Sequence, residues 1–302
     1  STSRRQRQMC IRDSAHSEQP NQQQLDQFKQ TVWSQGRAQW RDLPWRNIDD
    51  AYAVLVSEVM LQQTQVARVL DYWPRFLSLF PTLDALAAAD TALVLEQWQG
   101  LGYNRRALAL KRCAEICSDT YDGILPSTYD ELIALPGIGK ATAAGVRAFA
   151  YQQPGIYLET NVRTVFLHEL FADQEGISDK DIEPLVDLTC SEDDPRGWYY
   201  ALLDYGAHLK QTLPNPSRRS KHYTKQSKFE GSRRQKRAEV VRIVLASEEE
   251  GITFGDVAHE LDAFEIKHKR NPLAPDLLES ILADLVEEGF FTYDARSERY
   301  RC

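Results

Sequence analysis

Apolar residues recur at helical spacing along nearly the whole chain, and they alternate nowhere convincingly before roughly the last seventy residues. The periodic segments cover residues 24–35, 51–66, 69–80, 82–89, 91–97, 105–119, 128–134, 140–150, 161–170, 180–188 and 195–209. The breaks between them fall at Gly36, Pro44, Pro81, Gly100, Gly102, Pro126, Pro136 to Gly139, Pro154 and Gly155. Short connections of this kind force successive helices to pack against each other, so the pattern predicts a mainly α, compact bundle. After a basic stretch the pattern restarts with helices at 238–246, 254–261 and 276–288 and a hairpin at 290–293 and 299–301. Three short helices followed by a hairpin predict a small winged-helix-like domain.

The length of 302 residues, 42% hydrophobic and 26% charged, suits about two domains with cores of ordinary size. No stretch approaches the roughly 18 uninterrupted apolar residues of a membrane span. The best run, 53–61, is broken by Ser57 and Glu58. Residues 1–22 carry Arg4, Arg5, Arg7 and Arg12 without an apolar block and read as a disordered basic arm rather than a secretory signal. Cys10, Cys113, Cys117, Cys190 and Cys302 are odd in number and lack a framework of spacings. They predict a reducing cytoplasm, with association to the nucleoid if the chain is bacterial.

A net charge of −8 argues superficially against an acidic partner, but charge is unevenly spread. Residues 217–237 hold nine Lys or Arg against Glu230 alone, which leaves −16 on the remainder. Concentrated cations with Tyr223 and Phe229 among them suit phosphate binding as well as a solvated linker, and charge alone does not choose. Candidate contacts are Arg218, Arg219, Lys221 and Lys225 within a linker at 216–237.

Two glycine turns carry the first chemical signal. Leu135-Pro136-Gly137-Ile138-Gly139-Lys140-Ala141-Thr142-Ala143 is a turn opening a helix, where close backbone approach and unpaired amides suit either a phosphate or a tight helix corner. Gly100-Leu101-Gly102-Tyr103-Asn104 is followed at once by Arg105 and Arg106.

Leu-Pro-Gly-Ile-Gly at 135–139 resembles the hairpin of the helix-hairpin-helix (HhH-GPD) DNA glycosylases. Leu43-Pro44-Trp45-Arg46, Ser57-Glu58-Val59-Met60-Leu61-Gln62-Gln63-Thr64-Gln65-Val66 and Gly100-Leu101-Gly102-Tyr103 are similar to the adenine-glycosylase (MutY-type) branch. The resemblance covers roughly residues 25–215 and implies a two-lobed glycosylase domain at 23–215, with the winged-helix-like domain at 238–302. It further implies double-stranded DNA as partner, a hairpin that grips a phosphate with a monovalent cation at Leu135 to Gly139, and a base extruded into a pocket. The matching DNA-binding positions are Gln62, Gln63, Tyr103, Arg105, Pro136, Gly137, Gly139, Lys140, Thr142 and Asn161.

Three departures shape the expected chemistry. The family's iron-sulfur cysteines are missing from 215–237, so no cluster or other cofactor is expected; Cys113 and Cys117 read as core residues. Ala141 stands where the bifunctional members carry a lysine nucleophile, and Lys140 is rotated about 100° from it around the helix. A hydrolase without lyase activity is therefore expected. Glu159 stands at the family's catalytic aspartate, within Leu158-Glu159-Thr160-Asn161-Val162-Arg163. Glu58, among apolar neighbours, is the expected general acid, and Glu159, ahead of free helix amides, the expected ionised partner.

A Nudix-like domain is not expected in 238–302. The helix at 276–288 carries Asp276, Glu279, Asp284, Glu287 and Glu288 and no Lys or Arg, so protein docking or dimerisation competes there with DNA binding; Lys267, His268, Lys269 and Arg270 precede it. Adenine is the first substrate expectation. Uracil, thymine or another modified base on the same scaffold is the second, and a lesion-binding protein without catalysis is the third.

Overall fold

The computed structural model describes residues 20–221, 223–224, 227–247 and 250–302. Most of the basic arm expected at 1–22, together with Lys225, lies outside them. The first helix, α1 (Gln22–Ala38), begins inside the segment expected as arm. Asn21 caps it by accepting from the Gln24 N–H while the Gln24 side chain accepts from the Asn21 N–H.

The fold is built around α2 (Ala51–Leu61). Asp50 caps its start, and apolar residues occupy nearly every position, so this helix is buried on all sides. Around it stand α3 (Val66–Leu79), α4 (Leu83–Ala88), α5 (Thr91–Trp98), α6 (Arg105–Thr120), α7 (Tyr129–Ala134) and α8 (Lys140–Phe149), with α2 packed on α3, α6 and α8. The second lobe comprises α9 (Thr160–Glu169), α10 (Asp179–Thr189) and α11 (Pro195–Thr212); α11 packs on both α9 and the N-terminal α1. The mainly helical, two-lobed expectation holds. Among the described residues, no helix is long and apolar enough to cross a membrane.

A buried ion pair ties the loop ahead of α2 to α11. Arg46 donates through Nη1 and Nη2 to the two oxygens of Asp204 (2.8 and 2.7 Å), and Arg41 adds its Nε and backbone N–H. The side chains of Arg46 and Asp204 are 2% and 0% exposed.

The C-terminal domain follows a short 3-10 turn (Pro216–Arg219). It consists of α12 (Arg233–Leu245), β1 (Ile252–Thr253), α13 (Phe254–Lys267), α14 (Pro275–Glu287), β2 (Thr292–Asp294) and β3 (Arg299–Arg301). The sheet is antiparallel in the order β1-β3-β2, with Ile252 and Tyr293 both opposite Tyr300. The hairpin is as expected; β1 is too short for its alternation to show in sequence. Because α12 starts at Arg233, the end of the segment expected as linker at 216–237 is part of this domain.

The last part of the basic stretch, within α12, is paired inside the protein. Arg233 pairs with Asp284 (2.7 Å), Arg237 with Asp284 and Glu288 (3.2 and 2.6 Å), and Lys236 with the buried Glu265 (3.1 Å). Arg270, from the other basic cluster, closes on the same Glu265 at 2.8 Å. The acidic α14 thus finds its partners within this chain.

Removing the charge from Asp204 should expose the cost of the buried pair. Asp204→Asn leaves the Arg46 guanidinium buried against a neutral amide, and breaking such a pair costs about 3–5 kcal/mol. Urea unfolding should show a loss of that order, whereas Arg41→Ala, with a one-third exposed side chain, should lose clearly less. Equal losses would contradict this account.

Candidate active site

Glu58 opens the last turn of α2. Burial, reinforced by the negative charge of Glu159, pushes its carboxyl from 4.5 to about 8, against a hydrogen bond from Tyr157. Tyr157 Oη donates to Glu58 Oε2 at 3.3 Å. Room for this carboxyl comes from α8: a Cβ on Gly145 would collide with Glu58 Oε2 and would lie 2.9 Å from Tyr157 Cε2. Glycine is what lets a polar group lie flat against that helix.

Glu159 is the N-cap of α9. Its Oε1 accepts the N–H groups of Asn161 and Val162 (2.5 and 3.0 Å), and its Oε2 accepts from Asn161 Nδ2 at 3.4 Å. Lys210, which donates to Asn161 Oδ1 at 3.1 Å, and Arg163 add positive charge nearby. The expectation that helix amides alone keep this carboxyl low needs correction. Burial outweighs the amides and both cations, and the Glu159 pKa lies above its ordinary value.

An aromatic wall surrounds the pair. Tyr157 stands edge-on to Phe149 and Tyr199 (5.2 Å each), Phe149 stacks on Tyr200 at 4.8 Å and 3°, and the Arg46 guanidinium lies 4.5 Å over the Tyr200 ring. Burial raises the phenol pKa of Tyr157 well above the ordinary value and that of Tyr200 to about 12, so both stay neutral. Sequence reading missed Tyr157 altogether and assigned no role to Tyr200 or Asp204. The one available signal was Arg41 and Arg46 flanking Leu43-Pro44-Trp45, two cations in need of an acidic partner.

The positions expected to meet DNA divide into three groups. In the first, Gly139 opens α8 with no side-chain cap, and Gly139 and Lys140 are both exposed. Gly137 in the same turn, with Pro136 half-buried before it, has φ +75°, and a Cβ there would meet Ala109 Cβ at 2.6 Å. Gln63 and Tyr103 also have positive φ (55° and 49°) at the ends of their loops, and Tyr103 is 40% exposed.

The second group is held within the protein. Thr142 is buried and accepts from Gln62 Nε2 at 3.1 Å, which joins α8 to α2 and removes Thr142 from a phosphate-facing position. Asn161 belongs to the surroundings of Glu159. Arg105 is gripped by both oxygens of Glu288, and Arg219 donates to the carbonyls of Leu167, Phe171 and Ala172 (3.0, 3.0 and 2.7 Å), so both differ from the expected phosphate contacts. A carboxylate and helix-end carbonyls outcompete solvent for these guanidinium forks. In the third group Arg218 and Lys221 are exposed.

Glu58 binds its proton more tightly in the folded chain than in the unfolded one. Between 4.5 and about 8 the folded state holds the extra proton, so stability falls as pH rises through that window. Glu58→Gln stays neutral. Its stability relative to the parent should therefore climb from near pH 5 and level off above about pH 8, measured by urea unfolding. Parallel curves for the two proteins would remove Glu58 as the perturbed group.

Residues 56–188 match the model of the HhH-GPD superfamily base excision DNA repair proteins. The chain is 40% identical over 169 residues (55% of this chain, 58% of the relative) to an adenine DNA glycosylase of Mycolicibacterium smegmatis. It is 46% identical over 126 residues (41% of each) to one of Mycobacterium tuberculosis. It thus spans roughly half the length of these curated relatives. Among solved structures, a thermostable thymine-DNA glycosylase superposes with a TM-score of 0.55 at 22% identity, covering 61% of this chain and 87% of that one. A trapped endonuclease III-DNA covalent intermediate gives 0.55 at 19%, covering 65% and 94%. Both likenesses support the same helical architecture. Over residues 56–188 the chain is thus similar to the HhH-GPD superfamily of base excision DNA repair proteins.

Proposed function

We propose that the protein is a monofunctional DNA glycosylase that hydrolyses the N-glycosidic bond of adenine in mispaired double-stranded DNA. The observation that carries this reading is the pairing of two unlike carboxyls: Glu58, a carboxylic acid up to about pH 8, and Glu159, clasped by two helix amides. Adenine is favoured over other bases by the names of the curated relatives.

Cleaving the bond requires a proton on the leaving base and negative charge beside the sugar. Glu58 supplies the proton as the C–N bond breaks and its electron pair departs with the base. Glu159 stabilises the positive charge on the sugar, with Lys210 and Arg163 keeping its carboxylate oriented through α9. Water then adds to the anomeric carbon, and the proton it releases restores the Glu58 acid. Tyr157 holds Glu58 in place throughout, and the exposed turn around Gly139 and Lys140 is the phosphate contact.

Among the described residues, no set of cysteines is placed to hold the family's iron-sulfur cluster. Cys113 and Cys117 are buried on α6, Cys190 ends α10, Cys302 follows β3, and 215–237 holds no cysteine. Among the described residues no three His, Cys, Asp or Glu are grouped to hold a metal ion. Colourless, iron-free protein that still folds is the expected result. It should leave an intact abasic site that breaks only with alkali, since Ala141 forms no imine. An iron-sulfur absorption band, or a borohydride-trapped protein-DNA adduct, would overturn these two points separately.

Glu159→Gln keeps the helix cap, because an amide oxygen still accepts the two N–H groups, but it removes the charge. Single-turnover excision should drop at least about a hundredfold, equivalent to about 2.7 kcal/mol, while duplex binding persists. Glu159→Asp, with the shorter arm of the family residue, should retain measurable activity. The parent rate should fall above about pH 8 as Glu58 ionises and fall again in acid as Glu159 protonates. Near-normal excision by Glu159→Gln refutes its assignment. A panel of duplexes carrying adenine, uracil, thymine or alkylated bases tests the substrate, and binding without cleavage of any of them would leave a lesion-binding protein.

A further inference from the structure

The C-terminal domain does not hang free of the glycosylase lobe; it is seated at the loop that carries Tyr103. Three contacts place it there. Glu288 takes Arg105 and Arg237 on its carboxylate and Arg112 on its backbone oxygen (2.7 Å). Helix α12 packs against α5, immediately ahead of the loop. Arg234, the second residue of α12, donates through Nη1 to Tyr103 Oη at 2.9 Å.

Arg234 is itself braced. Its Nη2 donates to the backbone oxygen and hydroxyl of Ser227 (2.7 and 3.2 Å), and its guanidinium lies 6.0 Å from the centroids of both Tyr103 and Phe229. A second guanidinium, Arg106, lies 5.6 Å from the Tyr103 ring. Arg106 does not wander: it donates to the carbonyls of Val59, Met60 and Gln62 at the end of α2 and to those of Leu101 and Gly102 in the loop. The ring is therefore 40% exposed, carried on a residue with φ +49°, and flanked by two anchored cations. It sits beside the end of the helix whose last turn bears Glu58.

An exposed aromatic held rigidly next to a reaction centre is the arrangement that fills a gap in a base stack, and it works only if its own orientation is fixed beforehand. We propose that Arg234 is a positioning residue for this reaction, fixing the Tyr103 ring at the mouth of the site so that the C-terminal domain forms part of the base-extruding surface. This inference rests on the glycosylase reading above. It goes beyond that reading in giving the C-terminal domain a task in the same step and in naming the residue through which the task is done.

The test is a stopped-flow fluorescence experiment with the full chain and a mispaired duplex in which 2-aminopurine replaces the target adenine. Its fluorescence rises as the base leaves the stack. Arg234→Ala and Tyr103→Phe should each slow the rise by about tenfold, the scale of one hydrogen bond to a charged group. The double variant should be no slower than either single one, because both remove the same contact. Arg234→Lys, which keeps the charge but loses the fork, should fall between. Affinity for a fully paired duplex should change less than the extrusion rate in all of them, a split that a general loss of charge or folding would not produce.

Extrusion at the parent rate in Arg234→Ala, or losses that multiply in the double variant, overturn the proposal while leaving the glycosylase reading intact. A parent protein that neither extrudes nor excises the base from any duplex of the panel overturns both.

Discussion

One carboxyl group on a helix buried from every side sets the terms for the rest of this molecule. An isolated ionised carboxylate in such a place costs several kcal/mol, so the group keeps its proton and takes whatever hydrogen bond is in reach. The surroundings of Glu58 answer to that demand. Gly145 yields the space and Tyr157 donates its hydroxyl. The same burial that makes the group expensive is what makes it an acid at neutral pH. Stability and chemistry at Glu58 are two readings of one desolvation.

The second carboxyl is handled by the opposite device. Glu159 stands at a helix start, where amides without intrahelical partners would otherwise have to find solvent. In the proposed reaction capping and catalysis are not alternatives, because the cap is what aims the carboxylate. Its burial raises the pKa in spite of the amides, and its negative charge helps hold the proton on Glu58.

Cations show the same economy. A chain with net charge −8 has acidic groups to spare, and a guanidinium fork placed near one of them pairs within the molecule. Arg105 and Arg237 meet on Glu288, Arg233 on Asp284, Arg46 on Asp204. Among the described residues, Lys140, Arg218 and Lys221 remain exposed. The acidic end of α14 fastens its domain to α6 through Arg105 and Arg112.

Helical period, the glycine turns and the two acids were legible in the sequence because each depends on residues close along the chain. A buried helix shows in its apolar run, a hairpin in Pro136 to Gly139, a cap in a carboxyl ahead of a helix. Tyr157 was not legible, since a tyrosine in a short extended connection carries no sign of the helix it will face. Nor was the Arg46 partner, 158 positions away at Asp204, nor the capture of Arg105 by Glu288 across 183. Local propensity and desolvation of a segment are written in order along the chain. Which cation meets which carboxylate is settled only when distant helices pack, because at that distance the pairing energy belongs to the tertiary geometry and not to the neighbours in sequence.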